Sequence, residues 1–342
     1  MPPMNGVSRI ICHRLRPALF VLATLSFHLL PITMVKAEDS AQGMGFGLIA
    51  VQAPEDIQDH WRPLLAALAR RLGIPVEPHV AKDYAGTIWA MRKGTDSLVW
   101  LGNKGAIEAV DHAEGEIFAR MVFMDSGAGY HSQMILRDGL PYRSAEEVLA
   151  HAADLTLGLG DTNSTSGFLV PGYYLFARHG ITPRKAFLRI TQASHEANIL
   201  AVAEGRLDAA TVASNHLDTL LRDHPDYARR LRIVWRSPEI PSDPLLWRRD
   251  LPTEVKARIR DFFLDFGNPR SGKSGQDLAT ERGVLARLGV VKFIASDNRQ
   301  LLPIRKVELY RSRQSIEDDG TLAPQERNRR LDEINRQLAE IE

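Results

Sequence analysis

Apolar residues in this chain occur in two alternating patterns. Short unbroken runs, which read as buried strands, lie at 45–51, 76–80, 97–101 and 117–123. Between them apolar positions recur every three to four residues, as in amphipathic helices, over 57–72, 84–93 and 106–113. In the first of these helices Trp61, Leu64, Leu65, Leu68 and Leu72 share one face, and Gly73 stops it. Such alternation predicts βαβ units on a mainly parallel sheet. A longer strand is expected at 130–136, after which the pattern restarts. Strands then fall at 155–159, 186–190, 209–213 and 232–235, with helices at 145–152, from Ser164 onward, at 196–203 and at 216–221. Pro238, Pro241 and Pro244 punctuate a crossing segment, and Leu245-Leu246-Trp247 with a helix at 253–266 leads back into helix-rich chain.

The simplest arrangement is an α/β protein of two lobes, joined by crossings near 129–132 and 238–244. A ligand cleft lies between such lobes, where parallel strands end and helix N-termini point inward. Lobe 1 is assigned 38–130 and 245–300, lobe 2 is assigned 131–244, and 301–342 is a C-terminal helical extension. In that extension Pro324 sits near a first helical turn. Leu331, Ile334, Leu338 and Ile341 form a stripe that suits either a partner helix in a homodimer or docking on the chain's own lobe.

The first 37 residues do not belong to the lobes. Arg9, His13, Arg14 and Arg16 precede an apolar run from Ala18 to Leu30, and Val35-Lys36-Ala37 gives a small-x-small cleavage pattern. This reads as a secretory signal peptide, because the run is too short for a spanning helix of about 20 residues. Cys12 is the only cysteine in 342 residues and lies before the apolar run. A cleaved chain therefore has no thiol nucleophile, disulfide or cysteine-ligated metal. Formal net charge is +1 with both signs dispersed, which gives no basic patch for nucleic acid.

The segment richest in chemistry is Asp161-Thr162-Asn163-Ser164-Thr165-Ser166-Gly167. It follows an apolar strand and opens an apolar helix, so three hydroxyls sit at a helix N-terminus. Unpaired N–H groups and the positive dipole end make such a place able to hold a phosphoryl or carboxylate group. Taken alone, the same residues read more readily as ordinary N-caps. The loop lacks the third glycine of a dinucleotide fingerprint, the lysine of a P-loop and the G-x-S-x-G of a hydrolase elbow. His195-Glu196 has no second histidine four residues on, so it is not a zinc-protease pair. No metal or cofactor site is expected.

In combination these segments resemble the periplasmic phosphonate-binding proteins of ABC transporters. The resemblance rests on Lys82-Asp83-Tyr84-Ala85-Gly86, Leu101-Gly102-Asn103-Lys104, Gly129-Tyr130-His131-Ser132, the stretch from Gly160 to Tyr174, Ala193-Ser194-His195-Glu196-Ala197-Asn198, 233–238 and 241–248. It implies a type II periplasmic binding protein fold, a periplasmic location, delivery of ligand to an inner-membrane permease, and no catalysis. It also implies that Ser164, Thr165 and Ser166 hold the phosphonate oxygens, that Tyr84 and Tyr130 add phenol donors, and that His195 adds a further contact. Members that bind aminoalkylphosphonates place acids around the amine. Asp243 matches one of them, but Asn215 stands where the other would be a Glu, and Leu101 stands where Tyr is common. Three other readings are a receptor for phosphite, a phosphate ester or another oxyanion; a secreted α/β hydrolase; and a sensory partner of a membrane kinase.

Overall fold

The computed structural model describes residues 43–269 and 272–341; the expected signal peptide and Cys12 lie outside them. No helix among the described residues is long and apolar enough to cross a membrane. The chain begins with β1 (Met44–Leu48), α1 (Pro54–Leu72), β2 (Val76–Val80), α2 (Tyr84–Lys93), β3 (Asp96–Trp100), α3 (Asn103–His112) and β4 (Gly115–Phe123). Pro54 opens α1, acidic Glu55 and Asp56 follow, and Arg70 and Arg71 close it, each matching the helix dipole. Gly73 then adopts φ 76°, the left-handed cap that glycine takes without a Cβ clash.

The expected strand at 130–136 is broken at His131. Gly129–Tyr130 (β5) pairs elsewhere, and Ser132–Arg137 (β6) starts a second sheet. That sheet is completed by β7 (Thr156–Leu159), β8 (Arg189–Gln192), β9 (Ala209–Ala213) and β10 (Leu231–Arg236), in the order β10-β6-β9-β7-β8. Helices α4 (Ala145–Ala150), α5 (Pro183–Ala186), α6 (His195–Ala203) and α7 (Ser214–Asp223) accompany it. The strand expected at 186–190 lies three residues later, because Pro183 opens the short α5. The helix expected from Ser164 begins at Thr165 and is wound with π turns over Thr165–Leu169 and Gly172–Phe176.

The return through Ile240–Pro241 (β11) pairs antiparallel with β5, Ile240 opposite Tyr130, so the two crossings run side by side as a two-stranded ribbon. Pro244–Arg248 (β12) is then not a lead-in to helix but an inner strand of the first sheet, ordered β13-β4-β12-β3-β1-β2. It lies antiparallel between β3 and β4. Its apolar run is too short for periodicity to separate strand from helix. After α8 (Thr253–Asp265) and α9 (Gly275–Arg287), Val290–Ala295 (β13) adds an antiparallel edge that the sequence reading did not expect. Both sheets are therefore mixed. Returning chain enters each one against the direction of its βαβ strands, as β12 does in the first and β6 in the second.

The C-terminal helices are α10 (Leu302–Glu317) and α11 (Pro324–Ile341). Helix α10 touches both halves: Arg305 pairs with Asp111 on α3, and Gln314 donates to the carbonyl of Ala177. Helix α11 folds back on α10, and Ile334 and Leu338 of its stripe are buried.

Candidate ligand-binding site

The N-terminal turn after β7 is built by close backbone approach. Gly160 donates to the carbonyl of Gly167 at 2.9 Å. A Cβ on either glycine would come within 2.8 Å of the other's Cα, so no larger residue fits without backbone movement. Ser164 is the N-cap, and its Oγ accepts from the Gly167 N–H at 3.0 Å. Thr165 Oγ1 accepts from the N–H of Lys104 at 2.9 Å, which ties this turn to the start of α3 in the other half. A hydroxyl that accepts still has its own proton to give. Ser132 and Thr211, on β6 and β9, donate to the carbonyls of Ser166 and Gly167 at 2.6 and 2.7 Å and pin the turn to the second sheet.

Tyr84 is the first residue of α2, behind an Asp83 cap that accepts from Gly86 at 2.8 Å. Its N–H donates to Asp161 at 3.4 Å, and its phenol lies beside Ser164. Tyr130, on the crossing ribbon, places its phenol beside Ser166 and Asp243. Burial first, and the charge of Asp243 second, push both phenols well above their ordinary pKa, so both stay protonated donors.

His195 opens α6. Its Nδ1 accepts from the N–H of Ala213 at 3.3 Å, which assigns the proton of the neutral ring to Nε2, and Nε2 faces Ser164 Oγ at 3.4 Å. Burial, with a further push from His216, lowers His195 to about 3; burial lowers His216 to about 4. The two rings stack at 5.2 Å. Both are neutral near pH 7, and Nε2–H is a donor.

The same cavity also holds acceptors. Asp243 is 5% exposed, and burial pushes it up to about 7 against a stabilising hydrogen bond from Tyr130. The Trp100 indole N–H lies toward this carboxyl, yet Trp100 Nε1 and Asp243 Oδ1 are both buried without a completed hydrogen bond. Asn215 Oδ1 is likewise buried and unpartnered. Asn103 donates to the carbonyl of Pro241 at 2.7 Å and accepts from Gln300 at 2.9 Å.

The structure brings Tyr84, Tyr130, Ser164, Thr165, Ser166, His195, Asn215 and Asp243 around one narrow cavity. Gly102 and His216 also line it, and sequence reasoning did not pick them out as site residues. Gly102 stands in a quoted motif, and its role is spatial: a Cβ there would come within 3.2 Å of Thr165 Oγ1. His216 follows Asn215 directly, but nothing local marks it. The cavity volume is about 10 Å³, near that of one water, so a larger solute needs the two halves to part. Among the described residues no lysine or arginine lines it, and no cluster of three or more metal-ligating side chains occurs. Neutral hydroxyl, phenol, imidazole and helix N–H donors suit an oxyanion; a carboxyl and an amide oxygen in the same cavity suit a donor or cation.

Two mixed α/β sheets joined by paired crossings, with polar groups converging between them, define a two-lobed periplasmic binding protein of type II. Residues 46–301 match the family model for the phosphonate periplasmic substrate-binding protein of ABC transporters. The phosphonates-binding periplasmic protein of Escherichia coli is 37% identical over 98% of this chain and 94% of its own length. The binding-protein component of an ABC phosphonate transporter from Pseudomonas aeruginosa is 40% identical and superposes with a TM-score of 0.81, covering 87% of this chain and 96% of that one. A Prochlorococcus marinus protein solved in complex with methylphosphonate shares the fold, with a TM-score of 0.69 at 20% identity, over 79% of this chain and 99% of that one. The chain belongs to the family of periplasmic phosphonate-binding proteins of ABC transporters.

Proposed function

We propose that this protein is a secreted receptor that captures a small phosphonate between its lobes and delivers it to an inner-membrane permease. Support comes from the single cavity in which oxyanion donors face buried, unpartnered acceptors. Ser164, Thr165 and Ser166 take the phosphonate oxygens with their hydroxyl protons and the N–H groups of the turn. Tyr84, Tyr130 and His195 add donors, while Asp243 and Asn215 take hydrogens on the organic substituent. Hydrogen bonds to a charged acceptor are the strong ones, so several neutral donors can hold an anion without a lysine. Lobe 1 comprises 38–130 and 245–300 and lobe 2 comprises 131–244, so the donor set is complete only when the lobes meet. Residues 301–342 extend the fold, and 1–37 act as the export signal. A homodimer through the C-terminal helix would use Leu331 and Ile341, which are half-buried, since Ile334 and Leu338 are already covered; analytical ultracentrifugation reads that directly.

Ser164 and His195 superficially pair as nucleophile and base, yet the local bonding argues for binding without turnover. Nε2 carries the proton, so it cannot accept one from Ser164, and Ser164 Oγ is engaged as a cap. Calorimetry with methyl-, ethyl- and 2-aminoethylphosphonate, phosphite and a phosphate monoester tests the reading. Tightest binding to a phosphonate, with every ligand recovered unchanged, is expected. Preference for phosphite or the ester, or hydrolysis of the ester, would overturn it.

A further inference from the structure

Beside the narrow cavity lies a larger one of about 520 Å³. The two share Val51, Asn215 and His216 as common wall. Trp61, Trp100 and Phe123 line the larger cavity from the first lobe, and Thr219 lines it from the second. Trp61 and Trp100 lie with ring centroids 5.3 Å apart. At the junction, Trp100 Nε1 and Asn215 Oδ1 are a donor and an acceptor left buried and unpartnered. Across the rim, Arg222 of α7 reaches Asp125 at 3.0 Å, and both are more than two-fifths exposed. Exposed pairs of this kind are weak, so the rim can open. The cavity flanking the hydroxyl turn is smaller, about 230 Å³, and its walls are polar, as are parts of the larger one, where His60, Asp125, Arg222 and Asp223 join the aromatic rings.

We propose that the Trp61–Trp100–Phe123 cavity is a second subsite, which receives an apolar or aromatic group carried on the far end of the phosphonate's substituent. This rests on the phosphonate reading and widens it: the receptor takes arylalkylphosphonates as well as two-carbon ones. The phosphonate stays at Ser164–Ser166, the linking carbons pass Asn215, and the ring lies against the indoles.

The probes are ethylphosphonate and phenethylphosphonate, titrated by calorimetry into the wild-type protein, Thr219→Trp and Ala286→Trp. The two substitutions enter the cavity from different elements, Thr219 from α7 and Ala286 from α9, and neither residue lines the narrow site. Wild type is expected to bind phenethylphosphonate at least as tightly as ethylphosphonate. Each filled variant is expected to lose about tenfold or more for the phenethyl compound while holding ethylphosphonate within about threefold. Circular dichroism of the variants confirms that they fold, and either one suffices. Ethylphosphonate binding with the phenethyl compound rejected by wild type overturns the subsite alone, as does equal binding of the phenethyl compound by wild type and folded variants. Failure of both probes overturns the phosphonate reading and the subsite with it.

Discussion

Nε2 of His195 stands 3.4 Å from Oγ of Ser164, with Nδ1 held by the Ala213 N–H. This relation sets the imidazole as a donor beside the capping hydroxyl, and both residues line the same small cavity. Replacing Ser164 and Thr165 together by Ala is expected to weaken binding of every phosphonate. Two hydrogen bonds to a charged group are worth about 3–6 kcal/mol together, a loss of about a hundredfold or more. Loss of the Ser164 cap costs a further ~1 kcal/mol of stability. Thermal unfolding separates that loss from the change in affinity measured by calorimetry. Near-normal affinity in the double variant would remove the hydroxyl turn from the site.

Asn215 offers a carbonyl to an amine but no charge. An ammonium buried against one carboxyl and one amide is less well compensated than against two carboxylates. Asn215→Glu is therefore expected to shift preference toward 2-aminoethylphosphonate over ethylphosphonate. The ratio of the two affinities is the measurement. The same ratio in wild type and variant would mean that Asn215 does not read the substituent.

Asp243 titrates near 7 in the folded protein against about 4 in an unfolded chain. The folded state therefore binds the extra proton between those values. Its contribution is most favourable below pH 4 and is lost as pH rises toward 7, by up to about 4 kcal/mol. Asp243→Asn, which keeps the shape without the charge, is expected to raise the melting temperature at pH 8 by several degrees and to change it little at pH 4.5. It should also abolish any preference for the amino compound. An unchanged difference between variant and wild type across that pH range would mean that Asp243 ionises as it does in water.

Ligand is expected to close the lobes about the β5–β11 ribbon, since the donors come from both sides of it. Small-angle scattering with and without saturating phosphonate reads the radius of gyration. No change on saturation would count against closure.

Much of this protein is written locally. The helix α2 from Tyr84 to Lys93 and the strands at 76–80 and 209–213 lie where periodicity puts them, because each buries one face or one run. The hydroxyl turn at 164–166 was readable as a candidate anion site because capping residues and unpaired N–H groups are a property of the first helical turn alone. Asn215 and Asp243 were proposed through resemblance, and the unpartnered state of their Oδ1 atoms is visible only in three dimensions. Tertiary structure alone decided the rest. It placed β12 between β3 and β4, stacked His216 on His195, and set the Trp100 indole beside Asp243. The first and last of these depend on chain that crosses between sheets and returns more than a hundred residues later, and the histidine stack depends on how α6 and α7 pack. Local hydrophobic period fixes which face a segment buries, but not which distant segment it buries it against.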